Sequence, residues 1–331
     1  MKNGRMDIMK KRGLKKIAAG VTLLLALGLL AGCGGEKKEA GSKAQLNVGI
    51  VQLVEHSALD AANKGFVDGL AEKGFKENEN VAIDRQNAQA DQSNLQNIAH
   101  RFVNNKVDLI CAIATPAAQV MANATKDIPI VAKLVASNEK PGGNVTGTSD
   151  MNPIKEQVDL LLKIVPDAKT IGTVYCSSEV NSQIQIEIMK KAAAERGVNV
   201  MEATVSTVND IQQAAQSLVG KVDVVYVPTD NVIASSMPTL VSVTDNAGLA
   251  VICGEEALVK GGGLATLGID YYQLGKETGE MAAKILKGEA KPADMAIQTQ
   301  KQFKTVVNEA GAKRLGITIP QDVLQNAEIV K

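Results

Sequence analysis

Polar side chains gather at the ends of apolar runs in this sequence, and those clusters are where chemistry is possible. Gln52 to His56 closes the Val/Ile-rich run 46–53, and Thr115 follows the run 107–111. Ser177, Ser178, Glu179, Asn181 and Ser182 follow 171–176, and Thr229, Asp230 and Asn231 follow 222–227. Glu255 and Glu256 follow 250–253; Asp270, Tyr271 and Tyr272 follow 264–268. In sheets of parallel strands, ligands bind beyond the carboxyl ends of the strands. Asp230, Glu255, Glu256 and Asp270 are acceptors suited to an ammonium group. Helix starts at Thr115 and near Ser178–Ser182 offer backbone N–H groups and a positive dipole end, which suit a carboxylate. Together the two needs describe an amino acid zwitterion. No arginine stands in any of these clusters, which argues against a phosphate or sugar gripped by guanidinium. Each cluster also has a plainer reading, the capping of the helix that follows it.

Catalytic signatures do not accompany these clusters. The chain has no G-x-S-x-G, no H-E-x-x-H, no P-loop and no G-x-G-x-x-G after a strand. Of the 2 histidines, His100 sits inside an amphipathic helical pattern and reads as structural. His56 sits at a strand-to-helix junction and is a candidate ligand contact; no nucleophile or metal partner accompanies it as a base would require. Cys111, Cys176 and Cys253 each close an apolar run, without the short spacing of a zinc site or disulfide framework, and read as buried thiols at strand ends. The expectation is a binding protein rather than an enzyme, with no metal and no cofactor.

The elements that must position these residues alternate. Strand patterns at 46–53, 81–84, 107–111 and 128–133 interleave with helical patterns at 57–73, 93–103 and one opening at Thr115-Pro116, with Thr115 as the cap. A further extended segment covers 144–148. After it come a helix from Asn152-Pro153 to Val165, a strand at 170–176, a helix at 181–196 and a strand at 198–205. A helix at 210–218, a strand at 222–227, a helix at 231–246 and a strand at 250–253 complete this series. Alternation of this kind means parallel sheets with right-handed crossovers, here two similar α/β lobes. Aromatic residues are 2% of the chain, with no Trp, so the cores are aliphatic, as in helix-covered parallel sheets. The remaining segments, with a helix at 271–286 and a short one at 309–315, are too few for a core of their own and complete the two earlier sheets. Lys+Arg and Asp+Glu both number 36, which gives no electrostatic case for nucleic acid as partner.

The amino-terminal stretch gives an address. Lys2, Arg5, Lys10, Lys11, Arg12, Lys15 and Lys16 precede an apolar run 17–31 that ends in Leu30-Ala31-Gly32-Cys33. A charged segment followed by a short apolar one is the pattern of a secretory signal, and its end matches a lipobox. Residues 1–32 are expected to be removed, leaving Cys33 lipidated, and 34–44 forms a flexible tether. The mature protein is expected outside the cytoplasmic membrane, held to it by the lipid on Cys33.

Taken in order, several motifs resemble one family. They are Val48-Gly49-Ile50-Val51-Gln52 through His56-Ser57-Ala58-Leu59-Asp60, Ala114-Thr115-Pro116-Ala117-Ala118-Gln119 and Lys140-Pro141-Gly142-Gly143-Asn144-Val145-Thr146-Gly147. Tyr226-Val227-Pro228-Thr229-Asp230-Asn231 and Ala265-Thr266-Leu267-Gly268-Ile269-Asp270-Tyr271-Tyr272 follow. The chain resembles the substrate-binding lipoproteins of ABC importers, in the group related to binders of tryptophan and other aromatic amino acids. That resemblance implies a type I periplasmic-binding fold with three crossings between lobes. Lobe 1 is then 45–149 plus 258–288, and lobe 2 is 150–257 plus 289–331. It also implies a monomer whose partners are a small-molecule ligand, a permease and its ATPase. Thr115, Asn181 and Ser182 would hold the ligand carboxylate; Asp230, Glu256 or Asp270 the ammonium; and a ring would pack near His56 or Tyr271. One stretch departs from the family. Where its members often carry Asn-Pro-x-Glu-Pro-Asn-Ser, this chain has Cys176-Ser177-Ser178-Glu179-Val180-Asn181-Ser182, without the prolines. The same fold with a nucleoside, purine or other small polar solute, and an α/β enzyme at the cell surface, are the alternatives.

Overall fold

The computed structural model describes residues 45–134 and 143–330; the signal, the tether and Cys33 lie outside the described residues. The first series of elements is β1 (Leu46–Gln52), α1 (Ser57–Glu72), β2 (Val81–Asn87), α2 (Gln92–Asn104), β3 (Leu109–Ile113), α3 (Thr115–Ala124), β4 (Ile130–Leu134) and β5 (Val145–Ser149). The second begins with α4 (Ile154–Ile164), β6 (Thr170–Cys176), α5 (Val180–Glu195), β7 (Asn199–Val205), α6 (Ile211–Leu218) and β8 (Val224–Val227). It continues through α7 (Asn231–Ser235), α8 (Met237–Asn246), β9 (Val251–Cys253), α9 (Glu256–Lys260) and β10 (Ala265–Gly268). The chain closes with α10 (Tyr271–Leu286), β11 (Gln298–Thr299), β12 (Lys304–Asn308), α11 (Glu309–Leu315), α12 (Gln321–Leu324) and β13 (Ala327–Val330).

These elements make two helix-covered sheets. The first runs β11-β5-β4-β3-β1-β2 and the second β13-β12-β10-β9-β8-β6-β7. Every pairing is parallel except β10 with β12. The apolar runs fill aliphatic cores: Val48, Ile50, Leu109 and Ile110 in the first lobe, Ile171, Val224 and Ile252 in the second, all fully buried. Both lobes repeat one strand order, in which the first strand lies between the second and the third. In such a sheet the connections leave in opposite directions on either side of that first strand, opening a crevice at its carboxyl end. The crevices therefore fall between β1 and β3 in one lobe and between β6 and β8 in the other.

The chain crosses between lobes three times, at 149–154, 268–271 and 299–304. Two expected boundaries move. The segment 258–268 belongs to the second lobe, because β10 pairs with β9 and β12 there. The segment 289–299 belongs to the first, because β11 pairs with β5. The helix expected over 231–246 breaks at Ser236, just ahead of Pro238, which cannot continue the first helix's hydrogen bonding. Cys111 stands mid-strand in β3 rather than at its end, while Cys176 and Cys253 do close their strands; all three are buried free thiols.

One helix pair fixes the geometry near the crossings. On α1, Gly65 and Gly69 share a face, and on α10 so do Gly275 and Gly279. A Cβ at Gly65 would strike the carbonyl oxygen of Tyr272, and one at Gly275 that of Ala62. The two helices thus approach backbone to backbone, which only glycine permits. This contact locks the middle of α1 against the first half of α10, just after the crossing that ends at Tyr271.

Candidate ligand-binding site

Each lobe brings two helix starts to its crevice. In the first lobe these are α1 and α3. Ser57 is the first residue of α1 rather than its cap; the N-cap is His56, whose side chain does not cap the helix. Asp60 turns instead to Gln52, whose Nε2 donates to it at 2.7 Å and to the Val54 carbonyl at 2.9 Å. Likewise Thr115 opens α3, and its N-cap is Ala114, which has no polar side chain to offer. Ala114 holds φ +89° and ψ 149°, a region that disfavours any residue with a Cβ. Strain at that residue is what aims the start of α3, with Thr115 at 8% exposure, at the crevice. The first-lobe wall is therefore a pair of helix amino ends without side-chain caps, with the Asp60 carboxylate in the first turn of α1.

The second-lobe wall is built from carboxylates. Glu179 is buried and accepts from Asn231 N and Val232 N at 3.0 Å each, from Asn181 Nδ2 at 2.8 Å and from Asn231 Nδ2. Asp230 is equally buried and accepts from Cys176 N at 2.7 Å, Ser182 Oγ at 2.7 Å and Ile233 N at 2.9 Å. Between them these two side chains take the first-turn amides of α7. Burial and the neighbouring Asp230 push the Glu179 carboxyl up to about 8, and burial pushes Asp230 upward as well.

A contact spans the cleft. His56 Nε2 lies 3.2 Å from Asn231 Oδ1. With Asn231 Nδ2 turned to Glu179, its Oδ1 faces the His56 ring. Helix α3 also touches α5, and α1 touches α9. The lobes are drawn together.

The expected site residues separate into groups. Gln52, His56, Thr115, Glu179, Asn181, Ser182, Thr229, Asp230 and Asn231 collect at the two crevices. Ser178 is exposed, its Oγ 3.2 Å from Cys176 Sγ. Glu255, Glu256 and Asp270 stand after β9 and β10, across a cavity from the first turn of α1. Glu255 caps α9 through Ala257 N and Leu258 N, Glu256 pairs with Lys260, and Asp270 caps α10 through Gln273 N at 3.0 Å. With Ser57, Lys304 and Tyr272 they line a side cavity of about 220 Å³. Glu255 and Asp270 thus follow the capping reading, and of the residues expected at the ammonium, Asp230, Glu256 and Asp270, it is Asp230 that stands in a crevice. Asn181 and Ser182, expected at the ligand carboxylate, are buried beside the Glu179 and Asp230 carboxylates. Their donors are spent inside the lobe, Ser182 Oγ on Asp230, Asn181 Nδ2 on Glu179 and the Thr229 carbonyl.

Tyr271 is buried, with its hydroxyl donating to Asp150 Oδ2 at 3.1 Å, and so ties one crossing to another. Sequence reasoning missed its partners. Asn152 Nδ2 donates to Thr229 Oγ1 at 2.9 Å, and Thr229 N donates to Gln185 Oε1 at 3.0 Å. Asp150 and Asn152 flank the turn before Pro153, which reads from sequence only as a helix start. Among the described residues no group of His, Cys, Asp and Glu side chains is placed to hold a metal ion, and no helix is long and apolar enough to cross a membrane.

Two facing lobes with polar crevices at equivalent strand ends define a solute-binding protein of type I periplasmic-binding fold. The chain belongs to the ABC transporter substrate-binding protein family, which matches residues 47–331 and whose members are extracytoplasmic. It is 45% identical over 325 residues to a tyrosine-binding protein of Clostridioides difficile, covering 93% of each. A Streptococcus pneumonia ABC domain in complex with L-Trp superposes with TM-score 0.83 at 41% identity, covering 87% of this chain and 100% of that one. The ligand-free, open structure of a substrate-binding protein with adhesive properties from Clostridium difficile gives TM-score 0.65 at 46% identity, over 86% of this chain and 99% of that one. Overall likeness thus runs against sequence identity.

Proposed function

We propose that this protein captures an aromatic amino acid, tyrosine or tryptophan, as its zwitterion between the two lobes and hands it to a membrane permease driven by an ATPase. What carries the reading is the opposite electrostatic character of the two crevices. Helix amino ends without side-chain caps at His56 and Ala114 suit the carboxylate, and the Glu179–Asp230 pair, which has no basic partner among the described residues, suits the ammonium. The L-Trp complex and the tyrosine-binding relative support an aromatic side chain. Closure would be a hinge motion at the three crossings, with His56 and Asn231 meeting when ligand is trapped.

The same proposal includes the anchor. Lipid on Cys33 and a tether of about 11 residues, 34–44, would raise the effective concentration of loaded protein at the permease. Titration calorimetry of the soluble part against the common amino acids tests the ligand; no heat with any of them at millimolar concentration overturns it. Cys33→Ala tests the anchor. It should release the protein from membranes and leave ligand affinity unchanged, and a variant that stays membrane-bound contradicts the lipid assignment.

A further inference from the structure

Beside the first turn of α1 the two lobes meet around a second space, the side cavity of about 220 Å³. Three parts of the chain wall it. Ser57, Ala58 and Ala61 come from α1 in the first lobe, Glu256, Ala257 and Lys260 from α9 in the second, and residues 269–272 from the crossing between them. At roughly 30 Å³ for each water it has room for about seven, the bulk of one small solute. Its inner surface is apolar and closed to solvent: Ala58, Ile269 and Tyr271 are 5%, 2% and 5% exposed. Its rim carries both signs of charge. Lys260 pairs with Glu256 and Lys304 with Glu328, and Lys304 also stands in the field of Glu256 and Asp270. The two lysine side chains stay 51% and 48% exposed, so each ammonium keeps donors for a further acceptor. Asp270 spends Oδ1 on the Gln273 amide, and among the described residues no donor meets its Oδ2.

We propose that this cavity is a second amino-acid site, which takes a zwitterion with its side chain inward on Ala58, Ala61 and Ile269 and its charged head group at the rim. The carboxylate meets Lys260 and Lys304, and the ammonium meets Asp270. A solute with one charge would leave one sign of the rim unmatched. The site is separate from the crevices, since none of Thr115, Asn181, Thr229 and Asp230 lines it. Closure couples the two sites. Helices α1 and α9 touch but belong to different lobes, so a hinge opening at the crossings parts the walls of the cavity. An occupant that needs both walls binds the closed form better, and by linkage it holds the ligand in the cleft. This coupling rests on the amino-acid reading of the cleft given above. Loaded protein then keeps its cargo longer while free amino acid is plentiful.

The experiment reads release. Protein loaded with less than an equimolar amount of labelled L-tryptophan is diluted into buffer, and in parallel into the same buffer with millimolar unlabelled L-tryptophan. The expected result is that the unlabelled amino acid slows loss of the label by about fivefold or more. In a protein with one site it cannot do so, because it only blocks rebinding and so speeds the net loss. Replacing both rim lysines, Lys260→Gln with Lys304→Gln, should abolish the slowing and leave retention of label in plain buffer unchanged. Exposed ion pairs of this kind contribute little to stability, so the double variant is expected to fold. Equal or faster loss with unlabelled tryptophan overturns the second site and leaves the cleft reading standing. Slowing that persists in the double variant puts the second molecule elsewhere and overturns the assignment to this cavity. Slowing by tryptamine or indole-propionate as strong as that by tryptophan overturns the zwitterion class. Failure of the unaltered protein to retain label overturns the cleft reading and the coupling with it.

Discussion

The wall of the cleft in the first lobe and the wall in the second are made from different materials. The first is backbone: the starts of α1 and α3, with Ala114 held at φ +89° and α1 pinned to α10 through Gly65, Gly69, Gly275 and Gly279. The second is side chain: Glu179 and Asp230 threaded through the first turn of α7 by a web of neutral donors. Packing sets the position of the first wall, and hydrogen bonding sets the second. On the proposed reading, a molecule bearing both signs of charge at a fixed separation is what draws two such different walls together. Substitutions in the two walls should therefore fail in different ways.

The largest effect is expected at Asp230→Ala. It strands Cys176 N, Ser182 Oγ and Ile233 N in the interior without an acceptor, at a cost of about 3 kcal/mol or more. Denaturant unfolding should show that loss, and a change below about 1 kcal/mol would mean the web is not what holds the second wall. Gly65→Ala comes next. Its Cβ meets the Tyr272 carbonyl, and overpacking of this kind costs about 2 kcal/mol, more than the helix gains from alanine. A rise in melting temperature instead would show that α1 and α10 have room to part.

His56→Ala sits between the walls. His56 is only half-buried, so stability should barely change, while loss of its bond to Asn231 should weaken ligand affinity by about tenfold, as read by calorimetry. Unchanged affinity would remove the bridge from the account. A further effect is on the pH dependence of stability in the empty protein. Glu179 has its carboxyl raised from the ordinary 4.5 to about 8, so between those values the folded chain binds more protons than the unfolded one. Stability contributed by that group is fully present below the lower value and is lost as pH rises through the upper. Melting temperature should fall from pH 5 to 8, and Glu179→Gln should flatten the fall.

Much of the fold was legible because strand and helix periods alternate so regularly, and every polar cluster at a strand end was found where it stands. What the chain does not spell out is strand order. That β1, β3, β6 and β8 flank the crevices, with β9 and β10 further along the second sheet, is set by strand order; nothing local to the residues at those strand ends shows it. The crossings moved for the same reason, since β10 and β11 are short and say little about which sheet will take them. Two signals were present and unread. Gly65-x-x-x-Gly69 and Gly275-x-x-x-Gly279 carry the spacing of closely packed helices, and Pro238 marks the break after α7. The position of Ala114 had no signal, because its backbone conformation is imposed by its surroundings against its own preference.

The division of charge between the lobes is tested most directly by comparing L-tyrosine and L-tryptophan with analogues that lack one charged end. These are tyramine and tryptamine, without the carboxylate, and the corresponding aryl-propionates, without the ammonium. The account expects the amino acids to bind at least about 100-fold more tightly than either kind of analogue, since each analogue leaves one wall unengaged and its buried groups unmatched. An analogue missing one charge that binds as tightly as its parent amino acid would contradict it.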